Sequence, residues 1–266
     1  MQTPGKSAKQ ESELITKADD YYLQMRRQDN EMAIALYEQA VAMRPESGQG
    51  QAGLANALVQ QVIRWPNPAD MPDIPHQNLQ HAIELGRTQT DKAKRKLNRA
   101  LALAEQAVSL SPNSARAHKA LGFVYSAQQK FDLAIQSYQR AVELDPDAWD
   151  ALINIGDVKQ ITHNNAQALQ YFEAAFADMT RVYQSQSTRI HPWYADLGAA
   201  IGNKYYANEQ THQAETWYRH VLSFAPFNDK ATAGLATILK ESGDQQSAQR
   251  LCDEFEQRVG KQPCAL

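Results

Sequence analysis

The stretch ARAHKALGFVYSAQQKFDLAIQSYQRAVELDP, residues 115–146, determines the fold prediction for the whole chain. Residues three and four positions apart share one face of an α-helix, and this stretch repeats small and aromatic residues at that spacing in two successive segments. Gly122 and Ala134 are small enough to let two helix axes approach closely, and Tyr138 fills the space beside them. Pro146 ends the second segment because proline cannot continue a helix. The stretch therefore predicts a helix–turn–helix pair.

The same pattern recurs at a fixed interval along the chain. The positions that keep a spacing of 34 residues are Ala100, Ala134 and Ala168, then Pro112 and Pro146, then Ala214 and Ala248. A 34-residue period with a small residue in each repeat and a proline near its end resembles the tetratricopeptide repeat (TPR). The resemblance covers about six repeats over residues 12–259. It implies an all-α, right-handed α-solenoid that is not an enzyme and binds a protein or peptide in its concave groove.

Two insertions interrupt this period. Residues 64–89 fall between the two helices of the second repeat and include four prolines, so we expect a structured appendage on one side of the solenoid. The second insertion adds twelve residues between Ala168 and Ala214. We expect the helix that begins near Ala166 to continue past Val182, and the SQSTRIHP segment at 185–192 to redirect the chain into a new helix.

Both ends of the chain lie outside the repeat pattern. Residues 1–11 are polar, and we expect a disordered lead-in there, with no apolar core of the kind that marks a signal peptide. Residues 260–266 form a short C-terminal tail. Cys252 lies on the apolar stripe of the last helix and Cys264 follows twelve residues later. Either Cys252 is a buried free thiol or the two cysteines are bridged, and a bridge would favour an oxidising periplasm.

Charge and hydropathy exclude some classes of partner. The net charge is −3, which provides no long-range attraction to nucleic acid or acidic membranes. No run approaches the 18 apolar residues that a membrane-spanning helix requires. The basic residues between Lys92 and Arg99 are either a solvated helix face or an anion site. We therefore expect no direct contact with nucleic acid and no membrane segment in this chain, while cytoplasmic and periplasmic locations both stay open.

The chain lacks a recognisable catalytic, cofactor or metal motif. Gly48, Gly50 and Gly53 satisfy the G-x-G-x-x-G spacing of dinucleotide sites, but a helix ending at Pro45 precedes them where that motif requires a strand. None of the seven histidines forms an H-E-x-x-H motif, and none pairs with a cysteine at zinc spacing. We expect no catalytic residue, cofactor or metal, and keep an enzyme with an unrecognised site as an alternative.

The first helices of TPR repeats line the concave groove, so the resemblance implies a set of peptide-binding positions. Lys119 is followed one turn later by Phe123, whereas TPR proteins that grip a C-terminal carboxylate have lysine and asparagine in that arrangement. An ordinary carboxylate clamp is therefore not expected. The mixture of amide, aromatic and charged groups suits a peptide held partly by its backbone. The groove candidates are Arg116, Lys119, Phe123, Asp150, Asn154, Asp157, Asn203 and Tyr206.

A second resemblance suggests another function. Residues 52–66 and 120–158 are similar to the repeat regions of bacterial signalling proteins in which a winged-helix DNA-binding domain or a cyclase domain precedes the repeats. In acid-sensor-like members of that group the repeats face the periplasm. This resemblance implies a sensory or dimerisation module of a larger regulator, so a homo-oligomer is possible.

Overall fold

The computed structural model describes residues 4–65 and 78–264, and the side chains of these residues except 4–6 and 183–193. Within those ranges the chain is helical and contains no β-strand, which confirms the predicted fold class. The α-helices are Pro4–Tyr22 (α1), Arg27–Met43 (α2), Gly48–Arg64 (α3), Leu79–Glu84 (α4), Asp91–Leu110 (α5), Ala115–Ala127 (α6), Phe131–Leu144 (α7), Trp149–Ile161 (α8), Asn165–Ala207 (α9), Thr211–Phe224 (α10), Asp229–Glu241 (α11) and Gln245–Val259 (α12), and Arg87–Gln89 is a short 3-10 helix.

The helices form two compact bodies, Met1–Ala168 and Leu169–Leu266. In the N-terminal body α1 packs on α2, α3 on α5, and α6 on α7. Helices α1, α3, α6 and α8 also contact one another in succession, and we call them the inner helices. Their shared surface on the side away from α2, α5 and α7 is called the inner face. In the C-terminal body α11 packs on both α10 and α12.

Tyrosine side chains wedged against glycines hold the helix pairs together. A Cβ atom added to Gly122 in α6 would lie 2.7 Å from the ring of Tyr138 in α7, closer than unbonded carbon atoms can approach. Only glycine therefore allows this separation of the two helices. Equivalent contacts pair Gly53 with Tyr37, and both Gly202 and Gly234 with Tyr218.

The turn between the two helices of a repeat also keeps one geometry. Gln129 follows α6 with a φ of 60°. This is the left-handed region of backbone conformation, which residues with a Cβ atom rarely adopt. The next amide, that of Lys130, donates to the carbonyl of Tyr125 at 2.9 Å, which satisfies a helix-end acceptor in a Schellman motif. The residues that take the same left-handed conformation in the other turns are Met25, His163, Glu209 and Gly243.

The long helical element α9 reverses direction within its 43 residues. The hydroxyl of Tyr205 donates to Glu173 at 2.5 Å, although 32 residues of straight helix would separate them by about 48 Å. The hydroxyls of Thr180 and Tyr194 lie 2.8 Å apart, so the reversal falls between those residues. Residues 185–192 thus lie at the predicted change of direction. The chain therefore runs in two antiparallel helical segments, with no non-helical residue between them.

Two other boundary predictions need correction. Helix α1 begins at Pro4, so the predicted disordered lead-in is wrong from that residue onwards. Glu11 explains part of the difference, because its side chain is buried and pairs with Arg44 at 2.9 Å. The first insertion is not a separate appendage in its described part, since Leu79 and Ala82 are buried in the core of the N-terminal body. Its residues 66–77 lie outside the described residues.

The tyrosine–glycine contact gives a direct test of this packing. Gly122→Ala should lower the free energy of unfolding by about 1–3 kcal/mol, because the added methyl group overlaps the Tyr138 ring. Gly50→Ala is the matched control, since a Cβ there would lie 3.4 Å from Val41 and alanine favours the helix. Chemical denaturation measures both. Equal stability of the two variants would contradict the proposed role of the contact.

Candidate functional site

Helix α6 contributes the first charged residue of the inner face. Arg116 forms a bidentate ion pair with Asp19 of α1, with Nη1 at 2.9 Å from Oδ2 and Nη2 at 2.7 Å from Oδ1. The hydroxyl of Tyr37 donates to the same carboxylate. Planar guanidinium and carboxylate groups match well in this geometry. The predicted groove residue Arg116 is therefore engaged within the protein, where it connects two inner helices.

The electrostatics of this cluster reflect its partial burial. Burial alone would lower the pKa of Arg116, but the hydrogen bonds and charge of Asp19 outweigh that effect and raise it. Burial is the main cause of the raised pKa of the Tyr37 phenol. The charge of Arg116 lowers this pKa, and the charge of Asp19 raises it further. The guanidinium thus stays charged and the phenol stays neutral at physiological pH.

A second ion pair lies on the same face. Lys119 of α6 pairs with Asp150 near the start of α8. Two of the predicted groove residues therefore neutralise each other across neighbouring inner helices. Because α6 is tied to α1 through Arg116 and to α8 through Lys119, these charges stabilise the alignment of successive repeats before any partner is present.

Several polar side chains of the inner helices remain open, and four of them are of interest here. Tyr22, Asn56, Arg64 and Asn154 are half-buried, and their side chains form no hydrogen bond or ion pair with any residue in the described part of the chain. Of these, only Asn154 was a sequence candidate. Asn56 precedes Phe123 by 67 residues, the interval that separates Ala33 from Ala100. Asn56 therefore takes the same position in the second repeat that Phe123 takes in the third. Applying the repeat spacing to the second repeat would have identified Asn56 as a groove candidate.

Tyr22 lies where the charges of all four inner helices act together. Burial is the main cause of its raised pKa; Asp150 and Asp19 add to the effect, while Arg64 and Arg116 oppose it. Burial lowers the pKa of the Arg64 guanidinium. The electrostatic interaction with Tyr22 partly offsets that decrease. Tyr22 and Arg64 thus interact electrostatically.

The remaining candidates of the N-terminal body have mainly internal roles. Phe123 packs against the hydrophobic core. Asp157 contributes to the raised pKa of Tyr138, although burial is the larger cause. The side chain of Asp157 is engaged within the protein. These two residues offer less to a partner than the groove pattern predicts.

The two candidates in the C-terminal body are also bonded within the protein. The Asn203 oxygen accepts a 2.6 Å hydrogen bond from the hydroxyl of Tyr218, the buried tyrosine between Gly202 and Gly234. Tyr206 donates to Glu241 at 2.5 Å, and that bond raises its pKa. Asn203 thus supports helix packing, whereas Asn154 is free of such a role within the described residues.

The other sequence motifs have structural explanations. Gly48, Gly50 and Gly53 lie within helix α3, directly after helix α2, so a dinucleotide loop is excluded. In the basic run, Lys96 bonds to Gln61 at 2.5 Å and Arg99 pairs with Glu38 at 2.7 Å. No cluster of potential metal ligands occurs among residues 4–65 and 78–264. None of the helices in these ranges is long and apolar enough to cross a membrane.

The sequence left the state of the two cysteines open, and in the structure Cys252 and Cys264 form a disulfide with a Cα–Cα distance of 6.0 Å. The bridge attaches the C-terminal tail to α12. Both cysteines are buried with Ala236 and Ala248, and Leu239 and Leu251 pack against them. The tail is therefore part of the last hydrophobic cluster of the C-terminal body.

These features define the class of protein. Paired helices with small residues at close crossings, repeated along the chain, are those of an α-solenoid. Residues 115–148 match the family model of the tetratricopeptide repeat, so the chain contains a TPR unit at the stretch from which the fold was predicted.

Solved structures share the fold over most of the chain. PilF of Pseudomonas aeruginosa is 16% identical with a TM-score of 0.60, over 96% of this chain and 94% of PilF. TTC0263, a TPR protein of Thermus thermophilus, is 15% identical with a TM-score of 0.55, over 86% of this chain and 98% of TTC0263. At these identities the similarity is one of fold. Comparison with curated protein sequences finds no match.

The Arg116–Asp19 pair can be tested separately from binding. Asp19→Asn should lower the free energy of unfolding by about 1–3 kcal/mol, because a partly buried guanidinium loses its charged acceptor. The neighbouring Asp20 is exposed, so Asp20→Asn should change stability by less than about 0.5 kcal/mol. Urea denaturation of both variants measures the difference. If Asp19→Asn is as stable as Asp20→Asn, the ion pair does not connect the repeats as described.

Proposed function

We propose that this TPR protein is a non-enzymatic scaffold that binds an extended segment of another protein on the inner face of its N-terminal body. The observation that supports this most is the presence of four open polar side chains, Tyr22, Asn56, Arg64 and Asn154, on three inner helices. Buried or half-buried polar groups are normally paired, so open groups in this position suit a ligand that completes their hydrogen bonds.

The two asparagines favour a polypeptide as that ligand. An amide side chain donates and accepts at once, as a peptide group does, so Asn56 and Asn154 can each bond to the backbone of an extended segment. The ion pairs of Arg116 and Lys119 hold the inner helices in position beforehand. A preorganised surface loses less conformational entropy when the partner binds. Binding of protein partners is also the general role of TPR arrays.

A display library of random 15-residue peptides tests this proposal directly. The wild-type protein should enrich a set of peptides, and the Asn56→Ala/Asn154→Ala double variant should bind the enriched peptides more weakly by about 1–3 kcal/mol. Its melting temperature should stay close to that of the wild type, since neither amide is bonded within the described residues. Fluorescence anisotropy measures the affinities.

The control variant for this experiment is Gln136→Ala/Gln139→Ala, which removes two exposed amides from the outer helix α7. It should bind the same peptides as well as the wild type does. Undiminished binding by the inner-face variant, or an equal loss in both variants, would refute binding at the inner face.

The disulfide supports a second proposal, that the protein works in an oxidising compartment outside the cytoplasm. Structural disulfides persist in such compartments and are rare among cytosolic proteins. The bridge between Cys252 and Cys264 closes a short loop and fixes the tail on the last helix. A structural bridge of this loop length stabilises a protein by about 2–3 kcal/mol.

Thiol titration tests the bridge in protein isolated under alkylating conditions from the cells that naturally produce it. The denatured, unreduced chain should show no free thiol, and reduction should then release both. The reduced protein should unfold at a lower denaturant concentration than the oxidised protein. Two free thiols before reduction would refute the proposed compartment.

A further inference from the structure

The ion pair between Asp19 and Arg116 joins helices that belong to different repeats. Asp19 lies in α1 and Arg116 in α6, and α3 packs on both of these helices. Gly53 of α3 packs against the ring of Tyr37, and the Tyr37 hydroxyl donates to Asp19. The pair therefore connects the inner helices of the first and third repeats across that of the second, close to Gly53.

The hydrogen-bond donors of this cluster converge on one carboxylate. Nη1 of Arg116 lies 2.9 Å from Oδ2 of Asp19, and Nη2 lies 2.7 Å from Oδ1. The Tyr37 hydroxyl donates to the same Oδ1 and lies 3.5 Å from Nη2. A carboxylate is the acceptor that best matches the paired donors of a guanidinium, and its second lone pair can accept from a hydroxyl. Arg116 and Tyr37 thus form a carboxylate site, and Asp19 is the acid that occupies it.

This site stays in contact with solvent while Asp19 occupies it. The side chains of Arg116 and Asp19 are 32% and 26% exposed. Removing Asp19 alone would leave the guanidinium without a counter-charge, which is unfavourable for a partly buried ion. Exchanging Asp19 for another carboxylate has no such cost, because Arg116 keeps a charged acceptor and the released Asp19 returns to water. The geometry therefore favours exchange of the acid over simple opening of the pair.

Asn56 would hold a bound segment beside this site. Asn56 follows Gly53 by three residues on α3, and residues at that spacing are neighbours on a helix surface. Gly53 packs against Tyr37, one of the two donor residues of the site. A segment whose backbone bonds to Asn56 therefore runs close to Arg116. Its own acidic group is then present at a high effective concentration and can compete with Asp19.

From these contacts we infer that Arg116 and Tyr37 bind a carboxylate of the partner segment, and that Asp19 is an internal acid which this carboxylate displaces. The inference rests on the proposed function and specifies the chemistry and regulation of the same face. Asp19 lowers the affinity for acidic segments by occupying their site. Strong binding then requires both a backbone that bonds to Asn56 and an acid that replaces Asp19.

Acetate tests the carboxylate site by itself. Asp19→Ala removes the internal acid and leaves room for a small carboxylate. Sodium acetate should raise the melting temperature of Asp19→Ala more than sodium chloride does at the same ionic strength, and adding Arg116→Gln should abolish the difference. If Asp19→Ala is unfolded in chloride, acetate should restore its helical circular dichroism. Asp20→Ala, at an exposed neighbour, should respond equally to both salts. Equal responses of Asp19→Ala to both salts would refute the site.

Peptides selected by the wild type and by Asp19→Ala from the same library test the displacement. Asp19→Ala should enrich aspartate or glutamate more strongly and bind acidic peptides about tenfold more tightly than the wild type, because no internal acid competes. Both proteins should bind the matching amide peptides equally. Asp20→Ala changes the net charge by the same amount and should bind as the wild type does. Peptides with free and amidated C-termini assign the carboxylate to a chain end or to a side chain.

The outcomes distinguish this inference from the function on which it rests. If the selected peptides depend on Asn56 and Asn154 but Asp19→Ala gains no affinity for acids, the displacement is refuted and the binding surface stands, even where acetate stabilises the variant. Equal gains in Asp19→Ala and Asp20→Ala would also refute it, since the change of net charge would then explain both. If neither the wild type nor Asp19→Ala selects a peptide, both proposals fail.

Discussion

The contact between a buried tyrosine and a glycine on the facing helix is the constraint on which the remaining structure depends. A Cβ at Gly53, Gly122, Gly202 or Gly234 would lie between 2.3 and 2.7 Å from a tyrosine ring. These contacts set how closely the helices cross, and so determine where every inner-face side chain lies. Tyr218 contacts glycines on both sides, one in its own repeat and one in the next. The same tyrosine therefore forms a helix pair and joins it to its successor.

The polar groups of the tyrosines connect this packing to the candidate site. Tyr37 is buried against Gly53 and donates to Asp19, which in turn holds Arg116 on the inner face. A chain of contacts thus runs from the helix crossing to the charged surface. For this reason the charged groove residues of the N-terminal body stabilise the array, and the groups that we propose for initial recognition are those without a partner among the described residues.

Sequence reasoning was successful where a local pattern repeats and unsuccessful where tertiary contacts decide. The 34-residue period predicted the helix pairs, because spacing on a helix determines which residues face a neighbour. It could not show that Arg116 pairs with Asp19, since 97 residues separate them and their meeting depends on the stacking of three repeats. Asn203 was predicted as a groove residue from its position within the repeat. That position does not show that the hydroxyl of Tyr218 donates to its side chain. The sequence predicted the position of the reversal in α9 correctly. It did not predict that the backbone of residues 185–192 is helical, because proline usually ends a helix.

The disulfide at the C-terminus affects more than the stability of the folded chain. In a linear array each repeat is supported by two neighbours, except at the ends, where one side has none. Unfolding of such an array therefore starts most easily by fraying of a terminal helix. The bridge joins Cys264 to Cys252 of α12 within the cluster that contains Ala236 and Ala248, and it resists that first step. Resistance of this helix to proteases, which cleave frayed segments, is a consequence of the same bridge across twelve residues.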